Sequence, residues 1–107
     1  MRYMKLWIDD VRKPPESFIP EYVWVKTVHM AKEIIQICEE EGFPFEMIDI
    51  DHDAGEMFSK AGGDYIKLLD WLEETGRNYP IRIHSMNVVG VQNMRAIIER
   101  NGWIEVK

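Results

Sequence analysis

Short apolar runs alternate with segments of helical period along this chain, and that alternation limits the folds open to it. The runs are "YMKLWI" (3–8), "YVWV" (22–25), residues 46–51 within "FEMIDIDHDAG", "IRIHS" (81–85) and "WIEV" (103–106). They are rich in β-branched, aromatic and large aliphatic side chains, as buried strands are. Between them, Val28, Ala31, Ile34, Ile35 and Cys38 recur at helical spacing behind a Thr27 cap, and Gly42 and Pro44 stop that helix. Asp64 is the expected cap of a second helix with Tyr65, Leu68, Leu69 and Leu72 on its apolar face, ended by Gly76. Asn87 opens a third, carrying Val91, Met94, Ile97 and Ile98, and Asn101-Gly102 close it. Only "DDVRKPPESFIPE" breaks the alternation, because Pro14, Pro15 and Pro20 forbid a regular helix there. The order β-β-α-β-α-β-α-β predicts an α/β fold: a parallel sheet, helices on its faces and right-handed crossovers. With 107 residues, a single domain over 1–107 is expected.

Parallel sheets of this kind bind ligands beyond the carboxyl ends of their strands. The first strand here ends at Asp9-Asp10, the third at Asp51-His52-Asp53 and the fourth at His84-Ser85. A lone aspartate in a turn commonly just bonds nearby N–H groups. A pair at the end of a buried strand, facing a second acidic group, reads instead as a cation site. Oxygen ligands of this type suit Mg²⁺ or Mn²⁺. A cation would also relieve the repulsion between the carboxylates.

Strand alternation puts Met47, Asp49 and Asp51 on one face and Ile48, Ile50 and His52 on the other. Asp51 is thus placed at the strand tip as a metal ligand or an acceptor. Asp53 is a ligand, an orienter of His52, or a turn residue before Gly55. Asp49, one pleat deeper, is an acceptor beneath the site or a solvated edge residue. His52 and His84 are suited to proton transfer as base and acid, the alternative being that one of them is structural. Ser85 and Asn87 precede a helix whose free N–H groups attract anions, although Asn87 also serves as a plain cap. Arg12 and Lys13, in the first loop, are phosphate contacts or solvated charges. His29 reads as a surface residue and the four tryptophans as packing residues. Residues 54–63 form a lid or a mere connection.

Several classes are excluded. A net charge of −6 argues against a broad nucleic-acid surface. No apolar run reaches the roughly 18 residues that span a bilayer. The single cysteine, Cys38, cannot form an internal disulfide, and a cytoplasmic location is expected. Neither a GxGxxG after the first strand nor a GxxxxGK[ST] is present, and the dispersed histidines do not suggest structural zinc.

Two families share these motifs. "LWIDD", Asp51 and Ser85 resemble the acidic pair, phosphoacceptor and hydroxyl residue of a two-component receiver, and Lys107 falls near the position of its lysine. A receiver, however, has a helix between its first two strands, a helix after its fifth, and no "DHD" or "HSMN" histidines. The closer match spans nearly the whole chain: "LWIDDVRKPP", "WVKT", "DIDHDAG", "GGDYIKLLDWL" and "HSMNVVGVQNM" look like the bacterial cyclic-phosphate-processing receiver-like family. This resemblance implies a flavodoxin-like, doubly wound sheet of five strands in the order 2-1-3-4-5. The first crossover helix would be replaced by a loop, with no final helix. It implies functional roles for Asp9, Asp10, Asp51, His52, Asp53, His84, Ser85 and Asn87. Val88 stands where the family often has proline.

The expected activity is a metal-assisted phosphoesterase acting on a small cyclic phosphate, a nucleotide or an RNA 2′,3′-cyclic end. The alternatives are a non-catalytic signalling domain that accepts phosphate at Asp51, and a sensor that binds the cyclic phosphate uncleaved.

Overall fold

The computed structural model describes residues 4–16, 21–52 and 64–107. The strands are β1 (Lys5–Ile8), β2 (Tyr22–Val25), β3 (Met47–Ile50), β4 (Ile81–Ile83) and β5 (Glu105–Val106). They form one sheet in the order β2-β1-β3-β4-β5, and every neighbouring pair is parallel. The helices are α1 (Val28–Glu40), α2 (Ile66–Glu74) and α3 (Val88–Asn101). This is the receiver-like arrangement, with residues 9–16 of the first crossover non-helical. No helix among the described residues is long and apolar enough to cross a membrane.

The helix boundaries follow from local chemistry at most ends. Thr27 is extended, and its hydroxyl accepts the Met30 N–H at 3.0 Å, which starts α1. Asn87 does the same for α3 through the Gly90 N–H at 2.8 Å. Gly102 closes α3 in the left-handed region, at φ 68°. That turn lets Trp103 N–H return to the Ile98 carbonyl and brings the indole into the core. The start of α2 differs from expectation. Tyr65, not Asp64, occupies the cap position, and no side chain caps the helix. Tyr65 is wholly buried, and its hydroxyl donates to the Lys26 carbonyl at 2.7 Å. A tertiary anchor between α2 and the end of β2 thus takes the place of a local cap.

The two faces of the sheet are chemically different. Leu6, Ile8, Val25, Ile48, Ile50 and Ile81 alternate onto one face and join residues of all three helices in a single core cluster. The other face carries Trp7, Trp24, Asp49 and Arg82 on one rung, since Trp7 pairs with Trp24 and Asp49, and Asp49 with Arg82. Trp7 and Met47 are buried on this side, at 5% and 7% exposure, without belonging to the helix-side core. The first loop is fastened to it. The Trp7 indole N–H donates to the Arg12 carbonyl at 2.8 Å, and that of Trp24 to the Asp9 carbonyl at 2.7 Å. Residues 9–16, pinned by two indoles, are therefore non-helical where a receiver runs toward its first helix.

Candidate active site

Hydrogen bonding between the strands continues one residue past their ends. Asp9 N–H reaches the Val25 carbonyl, Asp51 N–H that of Ile8, and His84 N–H that of Ile50, at 3.3, 3.0 and 2.9 Å. Asp9, Asp51 and His84 are thereby neighbours on the rung above Trp7, Asp49 and Arg82. Polar residues from three strands converge because the register brings them together, although they are far apart in sequence.

His84 is the centre of this arrangement. Its Nε2 lies 3.0 Å from Asp9 Oδ2 and its Nδ1 lies 2.6 Å from Asp49 Oδ1. The ring stacks on Trp7 with centroids 3.8 Å apart and planes 6° apart. Asp49 also receives the Arg82 guanidinium at 3.0 Å. The side chains of Asp49, Asp9 and His84 are 0%, 1% and 8% exposed, so their polar atoms need partners within the protein. Asp49 is thus the buried acceptor beneath the site and not a solvated edge residue.

Asp9 combines two roles that the sequence left as alternatives. Its Oδ1 accepts the N–H groups of Val11 and Arg12 at 2.9 and 2.8 Å, an Asx-type turn, while Oδ2 faces His84. A carboxylate offers about four acceptor positions. The turn and the ring use three of them, so Asp9 retains capacity for a cation.

Ligand oxygens from Asp9, Asp10 and Asp51 all lie within 4.8 Å of one another. Mg²⁺ holds oxygens at about 2.0–2.1 Å, which puts opposite ligands about 4 Å apart. The three carboxylates therefore fit one hard divalent cation with only a small contraction. Asp51 shows the cost of gathering these carboxylates. Burial pushes its carboxyl above the ordinary value, and the charge of Asp9 adds to this. The His52 N–H, at 2.7 Å from Oδ1, and the Ser85 hydroxyl pull the other way.

His52 points elsewhere, as alternation predicts. Its ring meets the N-terminus of α3, where Asn87 Nδ2 is 3.5 Å from Nδ1 and Gly90 packs against the ring. The two imidazoles therefore lie on opposite sides of the sheet, His84 on Trp7 and His52 against α3. Their pairing as base and acid on one group is not reproduced in this geometry. His84 has both nitrogens engaged, and His52 is half-buried at the end of β3.

A Cβ on Gly90 would overlap Cγ, Cδ2 and Nδ1 of His52. In a helix interior, Gly→Ala ordinarily gains about 1 kcal/mol. Overpacking typically costs about 1–3 kcal/mol and here outweighs that gain. Gly90→Ala should thus lower stability in a urea titration and shift the His52 ring resonances.

The remaining expectations divide. Ser85 accepts the Asn87 N–H at 3.2 Å besides bonding Asp51, so it links the cluster to the start of α3. Arg12 and Lys13 are exposed, and Arg12 serves the site through its backbone. Lys107 donates to Glu105 at 3.2 Å and is 77% exposed, so it is not the lysine of a receiver site. Asp53 and the segment 54–63 lie outside the described residues.

Arg82 and Trp7 were missed as site residues. The signal was present in "IRIHS": Arg82 and His84 share one face of a buried strand, and a charge there needs a partner. The adjacent strand offers Asp49.

No curated protein matches the chain. A family model does: that of the cyclic-phosphate processing receiver domain matches residues 4–100, a span that includes the acidic cluster, His52, His84 and the α3 cap. With the receiver strand order and the acidic pair in place as well, the chain belongs to the cyclic-phosphate processing receiver domain family.

Proposed function

We propose that this domain is a metal-assisted phosphoesterase that opens a small cyclic phosphate by hydrolysis. The observation that carries the reading is the convergence of Asp9, Asp10 and Asp51 within 4.8 Å, beside a helix N-terminus prepared by Ser85 and Asn87. A divalent cation held by the three aspartates would neutralise phosphate charge and supply Lewis acidity. Water attacks phosphorus and one ring P–O bond breaks. The leaving oxygen takes a proton, and the product is a phosphomonoester. His52 is the proton-transfer residue in this scheme, being the histidine whose ring faces the α3 N-terminus. His84 acts through Asp9: clamped by Asp49 and stacked on Trp7, it fixes the carboxylate from below.

The test is turnover of cyclic mononucleotides and simpler cyclic phosphates with Mg²⁺ or Mn²⁺, compared between wild type and His52→Gln. Loss of a proton-transfer group typically lowers the rate by about 10²–10⁴-fold, and that loss is expected in kcat. Turnover with undiminished kcat in the variant would remove His52 from the mechanism. Stable labelling of Asp51 by acetyl phosphate, without turnover of any cyclic phosphate, would favour the signalling alternative.

A further inference from the structure

Next to the acidic cluster, the face of the sheet opposite the helices holds a cleft of about 410 Å³ that the scheme above leaves unused. Its floor is Tyr22 and Trp24 of the edge strand β2, and its wall is Lys13, Pro14 and Pro15 of the first loop. The geometry points to this cleft as the subsite for a nucleobase carried on the ester side of the cyclic phosphate. This inference rests on the acidic cluster being the phosphate site.

Size, shape and charge agree. The volume falls within the range of small-molecule sites. The half-buried rings of Tyr22 and Trp24 each carry a lysine over one face, Lys5 at 5.6 Å and Lys26 at 4.9 Å, so a base would stack on the surface that the lysines leave uncovered. The charged lining sets Lys13 against Glu16 and Glu21, a balance that does not favour a second phosphate. It suits a neutral ring whose edge offers both donors and acceptors.

The cleft is also tied to the chemistry. The Trp24 indole N–H donates to the carbonyl of Asp9, whose carboxylate belongs to the cluster. The loop runs from Asp10 to Lys13 with only Val11 and Arg12 between them, so cluster and wall are neighbours. A nucleotide's sugar would join a phosphate at the cluster to a base on Trp24. The rings are held in advance, since Tyr22 meets Trp7 edge-on at 5.6 Å and the Trp7 N–H fastens the loop at Arg12. A preformed stacking surface of this kind favours binding because little must be ordered.

The test is calorimetric titration, in Mg²⁺, with adenosine 2′,3′-cyclic phosphate, with glycerol 1,2-cyclic phosphate, which lacks a base, and with adenosine, which lacks a phosphate. The nucleotide should bind about tenfold tighter than the glycerol ester. Tyr22→Leu should remove that advantage without changing glycerol-ester binding, and Tyr22→Phe, which keeps the ring, should retain it. Equal affinity of the two cyclic phosphates for the wild type would overturn the inference, whether or not Tyr22→Leu folds. So would an equal loss of both in Tyr22→Leu, or failure of the nucleotide and adenosine alike to bind. Adenosine binding that depends on Tyr22, with the nucleotide bound no more tightly than adenosine and the glycerol ester not bound, would uphold the cleft and reject the phosphate reading instead.

Discussion

His84→Ala should lower the free energy of unfolding by about 3–5 kcal/mol, the usual penalty for removing one partner from a buried charged set. The imidazole lies between two carboxylates that have almost no access to water, and it covers the face of Trp7. Without it Asp9 keeps its two backbone donors and Asp49 keeps Arg82, but both lose their closest shared partner. A leucine of similar volume would refill the space and leave the carboxylates unmet, so His84→Leu should rescue little. Neutralising one of them should rescue more: Asp49→Asn should recover part of the loss in the His84→Ala background. A urea titration reads all four proteins. A loss below about 1 kcal/mol in the single variant, the range of an exposed ion pair, would mean that the ring does not hold this network.

Asp51→Asn should reverse its effect on stability with the metal. Burial and the neighbouring Asp9 charge already disfavour the ionised Asp51 when no cation is present. The near-isosteric amide removes that repulsion, so in chelator the variant should be no less stable than wild type. In Mg²⁺ at a hundred times its dissociation constant, wild type should gain about 2.7 kcal/mol. The variant, short of one of three ligands, should gain far less and become the less stable protein. Equal gains in both would place any cation elsewhere.

The sequence made some of this fold visible and concealed the rest for identifiable reasons. Thr27 and Asn87 were readable as caps because capping is decided within four residues. The acids were readable as one cluster because they follow the ends of apolar runs. Tyr65 was misread as following an Asp64 cap because its anchor, the Lys26 carbonyl, is 39 residues away. The Asp49–His84–Arg82 network was hidden for the same kind of reason. It exists only once β3 and β4 pair with Asp49 opposite Arg82, and register is a property of the sheet. His52 was correctly read as pointing away from Asp51, yet pairing it with His84 required both imidazoles to reach one side of the sheet. Alternation opposes this, because Asp51 and His84 occupy one rung and His52 follows the next residue parity.

In the proposed reaction the three aspartates bring a divalent cation to a cyclic phosphate and water opens the ring. The most direct measurement follows adenosine 2′,3′-cyclic phosphate by phosphorus NMR in ¹⁸O-labelled water, with Mn²⁺ or Mg²⁺, using wild type and Asp51→Asn. Conversion to a phosphomonoester carrying one labelled oxygen is expected, abolished by chelator and by the substitution. Conversion that persists undiminished in Asp51→Asn, or no conversion by wild type with either metal, would contradict it.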